Sequence, residues 1–224
     1  MAKGLAPAIV AEMSGRAWTG TAVTDVATQW AGETGLKASG KCPFGQLPLL
    51  EVPARGKMPA QNIGQSVAIC NYIARIAKRK SGLEGDGSQE YAVSQMLMAE
   101  GEDLYNALQK NQTTAFVKEY GKDGKVTKEE SKKWWTEAAK NQIAMLDKLV
   151  SSTEGSAFTK GGTSTGELYL FAMLHQMKLV KGDILDDAKA LLAWYDATKA
   201  NASVAKVLSG ESAIGELKQY FMEH

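Results

Sequence analysis

Gln65 and Ser66 stand where a protein is well placed to hold a negatively charged group. Behind them, isoleucines recur with the spacing of an amphipathic helix, at Ile69, Ile73 and Ile76. The first N–H groups of a helix lack intrahelical partners and the helix dipole is positive there, so a carboxylate is favoured and the serine hydroxyl adds a donor. A Gln-Ser pair before a helix is also often only a cap. The pattern leaves both interpretations open.

Cysteine and histidine are too few for several other kinds of site. The two cysteines, Cys42 and Cys70, are not spaced as a CxxC pair and cannot build a disulfide scaffold. The two histidines, His175 and His224, lie in an apolar helical stretch and at the chain end. The sequence therefore lacks the cysteine and histidine residues needed for a metal site or a histidine-based triad. We predict reduced thiols, no bound metal and a packed, hydrogen-bonded His175.

Composition excludes further classes of function. The 224 residues are 44% hydrophobic and 23% charged, which is typical of a globular chain forming one large or two small domains. Lys and Arg number 26 against 25 Asp and Glu, so no net field favours nucleic acid or an anionic membrane as a partner. No window approaches the roughly 20 apolar residues that span a bilayer. We predict a cytoplasmic protein without a membrane span.

Two kinds of pattern divide the chain. Short strand patterns occur early, at residues 21–23 and 49–52, and the second is followed by turn-forming residues and a possible return strand at 58–63, which predicts a hairpin. The polar, glycine-containing segment 79–87 is typical of a linker. We therefore place a domain boundary near residue 84, with an α/β domain over 1–83 and a helical domain over 84–224.

Helix-start signals dominate the second part. Capping boxes of the S/T-x-x-E type occur at Thr127 with Glu130 and at Ser164 with Glu167. One helical face behind the first box is apolar, at Trp135, Ala139, Ile143, Leu146 and Val150. The run 168–180 is apolar on most faces, which predicts the buried centre of a helical bundle. Ser88 and Asp183 are further predicted helix starts.

Two segments carry a resemblance to a known family. Residues 43–52, PFGQLPLLEV, and 65–74, QSVAICNYIA, resemble the P-F-G-Q-L-P-x-L-E-V and Q-S-x-A-I-x-x-Y-L-A elements of glutathione transferases, in the same order and nearest to the sigma, mu and pi type classes. Phe158 with the second capping box is a weaker match. The resemblance covers the whole chain, most strongly over 43–76. It implies a thioredoxin-like N-terminal domain followed by the family's all-helical C-terminal domain.

The resemblance also implies a glutathione site. Pro48 stands where the family keeps a cis proline, which turns the preceding backbone outward so that Leu47 can pair with an extended peptide as an added strand would. Gln46 belongs to the same element. In the family, the pair that matches Gln65 and Ser66 binds the γ-glutamyl end of glutathione. Taken singly, a proline before a strand is usually a turn former.

Three residues ahead of that element are further candidates. The family often holds the glycyl carboxylate of glutathione with a Trp and a Lys in this part of the chain, and Trp30, Lys37 and Lys41 lie there. Of these, we select Lys41 as a glutathione-binding residue. A solvated lysine face is the competing interpretation.

The sequence departs from the family where the glutathione thiolate is stabilised. Active members supply a tyrosine from a first strand. If residues 6–10, APAIV, match the start of the first helix, only residues 1–5 precede it, without tyrosine, serine or cysteine. If residues 15–17, GRA, match the family motif instead, Val10 takes the tyrosine position. We therefore leave the catalytic residue unassigned.

Other departures concern the rest of the site. Ala99 falls about where many members place an aspartate that reaches the partner subunit's glutathione, and the adjacent Glu100 is a possible substitute. Ser14, Thr19 and Thr21 are the nearest hydroxyls to the missing tyrosine, but they follow the start of the first helix. Surface or turn positions explain them better.

Two function hypotheses follow from the resemblance. The first is a glutathione-transferase-like protein that binds glutathione and conjugates it to electrophiles weakly or not at all. The second is a noncatalytic subunit that uses the fold as a scaffold in a larger assembly. A thioredoxin-type oxidoreductase is less favoured because Cys42 has no CxxC partner. We also expect a homodimer, with Phe44 as an anchor unless it packs within its own domain.

Overall fold

The computed structural model describes residues 2–78 and 81–223. Eight α-helices are present in this part of the chain: α1 (Leu5–Met13), α2 (Ser66–Ile76), α3 (Gly87–Asn111), α4 (Lys128–Thr136), α5 (Ala138–Ser151), α6 (Thr165–Val180), α7 (Lys189–Ala200) and α8 (Ala202–Leu208). Four short strands accompany them: β1 (Leu49–Val52), β2 (Gln61–Gly64), β3 (Thr113–Thr114) and β4 (Phe221–Met222). The predicted order, an α/β region followed by a helical region, is confirmed.

The first region is built on the hairpin of β1 and β2. The two strands pair antiparallel with Leu49 opposite Gly64 and Val52 opposite Gln61, and α2 follows directly. Both the hairpin and this helix are as predicted. The strand predicted over 21–23 is wrong, since these residues have no regular structure. The next element is instead a five-residue π-helix, Val26–Trp30, started by the Asp25 side chain, which accepts from the N–H groups of Ala27 and Thr28.

Helix α1 joins the two regions. It is apolar around most of its circumference, and residues 5–11 are all buried. It packs against α2, α6 and α8. An ion pair of 2.5 Å between Glu12 and Lys206 reinforces the contact with α8. One continuous apolar core therefore runs through both regions.

Helix α6 is the centre of the bundle, as predicted. Nearly all of its side chains are buried, and it packs most extensively against α3. The two helices approach closely because of two glycines: a Cβ on Gly166 would lie 1.9 Å from the Ser94 carbonyl oxygen, and one on Gly101 would lie 2.8 Å from the Tyr169 ring. Side chains larger than hydrogen do not fit at these crossings.

Both predicted capping boxes are present. Thr127 with Glu130 starts α4, and Ser164 with Glu167 starts α6. The five residues of the predicted apolar face are buried, although the helix breaks at Glu137 into α4 and α5.

Two predicted helix starts are wrong. Helix α3 begins at Gly87 after Asp86, so Ser88 lies inside its first turn and does not cap it. Asp183 lies in a series of turns, with its carboxylate near the Lys181 ammonium, and α7 begins only at Lys189.

Two further expectations concern the domain boundary and the absence of a membrane span. Arg79 and Lys80 of the predicted linker, and His224, lie outside the described residues. The domain boundary near residue 84 remains a prediction. In the described ranges, no helix has both the length and the apolar character needed to cross a membrane.

Candidate functional site

The hairpin brings the two motif segments together. Because Leu49 pairs with Gly64 at the end of the β1–β2 ladder, Pro48 and Gln65 continue from neighbouring positions at the same edge. The segment 46–48 and the start of α2 are therefore neighbours at this edge of the hairpin. The two motif segments, which are distant in sequence, are therefore neighbours in the structure, and their role in binding glutathione stays a prediction.

The Leu47 backbone is open to an incoming chain. The peptide bond between Leu47 and Pro48 is cis, and Leu47 is 37% exposed. No main-chain hydrogen bond to Leu47 occurs within the part of the chain that the structure describes. Unpaired main-chain groups next to a strand end can accept an extended peptide by strand addition.

The start of α2 is uncapped. Gln65 occupies the N-cap position with φ +67° and ψ +116°, and its side chain does not cap the helix. The first N–H groups of α2 thus have no intrahelical partner and no side-chain cap. Gln65 is also one of three non-glycine residues with positive φ in the described ranges. Such conformations are costly and concentrate at ligand sites.

Ser66 is buried and its hydroxyl is already engaged. Its Oγ lies 2.7 Å from the hydroxyl of Tyr169, which donates in turn to the carboxylate of Glu102. The ammonium of Lys3 binds the other oxygen of Glu102 at 2.5 Å and lies 4.8 Å from the centre of the Tyr105 ring. This Lys3–Glu102–Tyr169–Ser66 relay connects the N-terminal turn, α3, α6 and α2.

Burial and the relay change the acidity of neighbouring groups. Burial raises the pKa of Tyr169, and its hydrogen bond to Glu102 raises it further. The thiol pKa of Cys70 is raised by complete burial and by the Glu102 charge. Partial burial, followed by the nearby Asp103, raises the pKa of Glu100. Tyr169 and Cys70 are therefore held in their neutral forms at neutral pH.

The other predicted site residues lie around the edge of this site. Gln46 is exposed on the loop before β1. The Lys41 ammonium binds the carboxylate of Glu51 at 2.8 Å, and its carbonyl accepts from Asn62 at 3.0 Å. Lys41 therefore lies along the hairpin, beyond the Leu47–Ser66 edge. Trp30 is half-buried at the end of the π-helix.

The structure supplies no hydroxyl in the place of the family tyrosine among the residues ahead of α1 that it describes. Residues 2–4 are Ala, Lys and Gly in a 3-10 turn. Ser14 is buried and bound to the end of α1, donating to the Ala11 carbonyl at 2.7 Å. Thr19 and Thr21 are exposed. These observations agree with structural roles for the three hydroxyls.

A cavity of about 700 Å³ lies beside the second half of α2, between that helix and the start of α3. Asn71 and Gln95 exchange two amide hydrogen bonds of 3.2 and 3.1 Å in its wall, and Arg75 pairs with Glu84 at 3.2 Å. No residue predicted to bind glutathione lines this cavity. The cavity is therefore separate from the candidate site at the start of α2, called the head of α2 below.

Comparison with known proteins agrees with the fold. Residues 110–211 match the sequence model of the glutathione S-transferase C-terminal domain. A glutathione S-transferase from Xylella fastidiosa is 24% identical, with 94% of each chain covered and a TM-score of 0.69. Prostaglandin synthase D of Nilaparvata lugens is 19% identical, with 93% of each chain covered and a TM-score of 0.72. The chain therefore has the glutathione-transferase fold, and residues 110–211 are similar to the family's C-terminal domain.

The glutathione-transferase fold is thus established over nearly the whole chain, but the expected subclass is not supported. A class Gtt2 glutathione S-transferase of Vibrio parahaemolyticus is 18% identical, with 96% of each chain covered and a TM-score of 0.67. Similarity to a Gtt2 enzyme does not favour the sigma, mu and pi type classes over others. A search of curated proteins found no match.

Sequence reasoning missed the Lys3–Glu102–Tyr169–Ser66 relay. Ser66 was identified, but nothing in its surroundings pointed to Tyr169 or Glu102, which belong to distant helices. The apolar character of the run 168–180 predicted only a buried helix. No local signal in the sequence could have shown that a hydroxyl within it faces the head of α2.

Proposed function

We propose that this glutathione-transferase-like protein binds glutathione at the edge formed by Leu47 and the start of α2. The uncapped start of α2, next to the open Leu47 backbone, is the observation that carries the proposal. The first N–H groups of α2 and the Gln65 amide would hold the γ-glutamyl carboxylate. The Leu47 backbone would pair with the cysteinyl part of the tripeptide as an added strand does.

The remaining predicted residues have supporting roles in this proposal. Gln46 and Pro48 shape the loop that presents Leu47. Lys41 would bind the glycyl carboxylate, for which its ammonium must leave Glu51. The Lys41–Glu51 pair is about half exposed on both sides, and exposed ion pairs contribute little stability, so the exchange of partner is inexpensive.

We expect conjugating activity to be weak or absent. A thiol of ordinary acidity is only a few per cent ionised at pH 7, and a transferase must stabilise the thiolate. Loss of one such donor typically lowers the rate by about 10²–10³, and no hydroxyl occupies the tyrosine position in the described residues. A noncatalytic subunit in an assembly is the alternative function.

Calorimetric titration of the full chain with glutathione tests the proposal. Gln65→Gly removes the amide while fitting the positive φ, so we expect roughly tenfold weaker binding with the fold intact. Gln61→Ala removes an exposed amide from β2 and serves as the matched control with unchanged affinity. Absence of glutathione binding to the unaltered protein would refute the proposal. A conjugation rate typical of glutathione transferases would refute the expected weak activity.

We also propose a cytoplasmic homodimer in which Phe44 contacts the second subunit. Phe44 is 67% exposed on the loop before β1, and exposed aromatic side chains are common interface anchors. Light scattering at micromolar concentration should give twice the chain mass, and Phe44→Ala should shift the equilibrium toward monomer. A monomeric mass for the unaltered protein contradicts this.

A further inference from the structure

We propose that Tyr169 is a positioning residue that withholds the Ser66 hydroxyl from the ligand at the head of α2. The inference rests on the proposed glutathione site and modifies how that site works. It concerns which atom of the relay carries which hydrogen. The family motif alone would make Ser66 a donor to the ligand carboxylate.

Hydrogen counting fixes the direction of the relay. The Glu102 carboxylate, bound to the Lys3 ammonium, can only accept. Tyr169 has a single hydroxyl hydrogen and donates it to Glu102. The 2.7 Å contact between Tyr169 and Ser66 must therefore use the Ser66 hydrogen. Ser66 points its only hydrogen toward the protein interior and has none left for a carboxylate ligand.

Packing keeps this arrangement in place. Ser66 is 2% exposed and Tyr169 is fully buried. The Tyr169 ring lies against Gly101, where a Cβ would come within 2.8 Å of it. The hydroxyl cannot swing away without moving α3 or α6. A carboxylate at the head of α2 is therefore bound by main-chain N–H groups, and recruitment of Ser66 would require breaking its bond to Tyr169.

Four proteins measured with glutathione by calorimetry test this: the unaltered chain, Ser66→Ala, Tyr169→Phe and the double variant. We expect Ser66→Ala to leave the affinity unchanged. Tyr169→Phe should tighten binding by roughly tenfold, the effect of one freed donor to a charged group. The double variant should return to the original affinity. Tyr195→Phe, which removes another largely buried tyrosine hydroxyl, bonded to His175, is the control with unchanged affinity.

Roughly tenfold weaker binding in Ser66→Ala, or no change in Tyr169→Phe, would overturn the proposal. If Tyr169→Phe does not fold, the Ser66→Ala result alone decides. If no variant binds glutathione, the proposed function fails, and urea unfolding of the same four proteins tests the relay separately. The effect of the double variant on the unfolding equilibrium constant should then differ by at least about twofold from the combined effects of the two single variants. Additive effects would contradict the relay.

Discussion

The start of α6 in the helical region and the start of α2 in the hairpin region differ in how their first N–H groups are hydrogen-bonded. At α6, three successive N–H groups are satisfied: Thr165 donates to the Leu83 carbonyl, Gly166 to Ser94 Oγ and Glu167 to Ser164 Oγ. At α2 no side chain caps the first turn, and the N-cap residue Gln65 has a positive φ. Helix N–H groups that are hydrogen-bonded within the protein stabilise the fold. Those that lack a side-chain cap, beside unpaired backbone, can still bind a ligand.

The largest expected effect is at the α3–α6 crossing. Gly166→Ala would place a methyl group 1.9 Å from the Ser94 carbonyl oxygen, so the helices must separate. We expect a loss of more than about 3 kcal/mol in the free energy of unfolding, measured in urea. Gly182→Ala is the control, because a Cβ there meets nothing within 4 Å. Equal stability of the two variants would contradict the close crossing.

Next in size is the comparison of the two capping boxes. The buried Glu167 carboxylate accepts from the N–H groups of Phe158, Thr159 and Ser164 and from two hydroxyls. Glu167→Ala leaves these buried donors unpaired and should cost at least about 3 kcal/mol of unfolding free energy. Glu130→Ala removes the same motif from the exposed start of α4 and should cost only a small fraction of that. Similar losses in the two variants would show that burial of the glutamate does not determine how much each capping box stabilises the protein.

His175 should make the helical region sensitive to acid. It is buried, its Nδ1 lies 2.7 Å from the Tyr195 hydroxyl, and burial, followed by the charge of Lys199, lowers its pKa from 6.5 to about 4. Protonation therefore favours the unfolded chain, so stability is fully present above pH 6.5 and falls as the pH drops toward 4, by roughly 3 kcal/mol. Urea unfolding from pH 7 to 4.5 should show this fall, and His175→Gln should remove that part of the slope. An unchanged slope would rule out His175 as its source.

The smallest expected effect on stability is at Gln65. Gln65→Gly relieves the cost of a positive φ but adds freedom to the unfolded chain, so the unfolding free energy should stay constant or rise by up to about 1 kcal/mol. The glutathione affinity should fall in the same variant. A clear loss of unfolding free energy in Gln65→Gly would contradict this expectation. It would show that the Gln65 side chain stabilises the start of α2.

Local signals explain what the sequence predicted correctly. The capping boxes at Thr127 and Ser164 involve residues three positions apart, and the hairpin is marked by the turn formers between its strands. The helix α2 follows from its isoleucine spacing. In each case the residues that form the element are neighbours in sequence, so the pattern contains the cause.

Competing local contacts explain the failures. The N–H groups of Thr24 and Asp25 donate to the Gln29 side chain, which stabilises a compact turn after the expected strand at 21–23. Ahead of α3, the Asp86 N–H donates to Glu90, and Gly87 has φ +78°, so the helix start lies before Ser88. These contacts depend on geometry that propensities do not specify.

The candidate site was predictable only in part. Gln65, Ser66 and Leu47 could be identified from the two motif segments. The state of the Ser66 hydroxyl could not, because Lys3, Glu102 and Tyr169 come from separate parts of the chain and meet only through helix packing.

Helix α1 has a consequence for cooperativity. It belongs to the first region by sequence, yet its buried face is shared by α2, α6 and α8. Removing it from one region exposes apolar surface on the other, so neither region has a complete core of its own. We expect denaturation to proceed in one transition that coincides for probes in both regions. The boundary near residue 84 would then separate two architectures within a single cooperative unit.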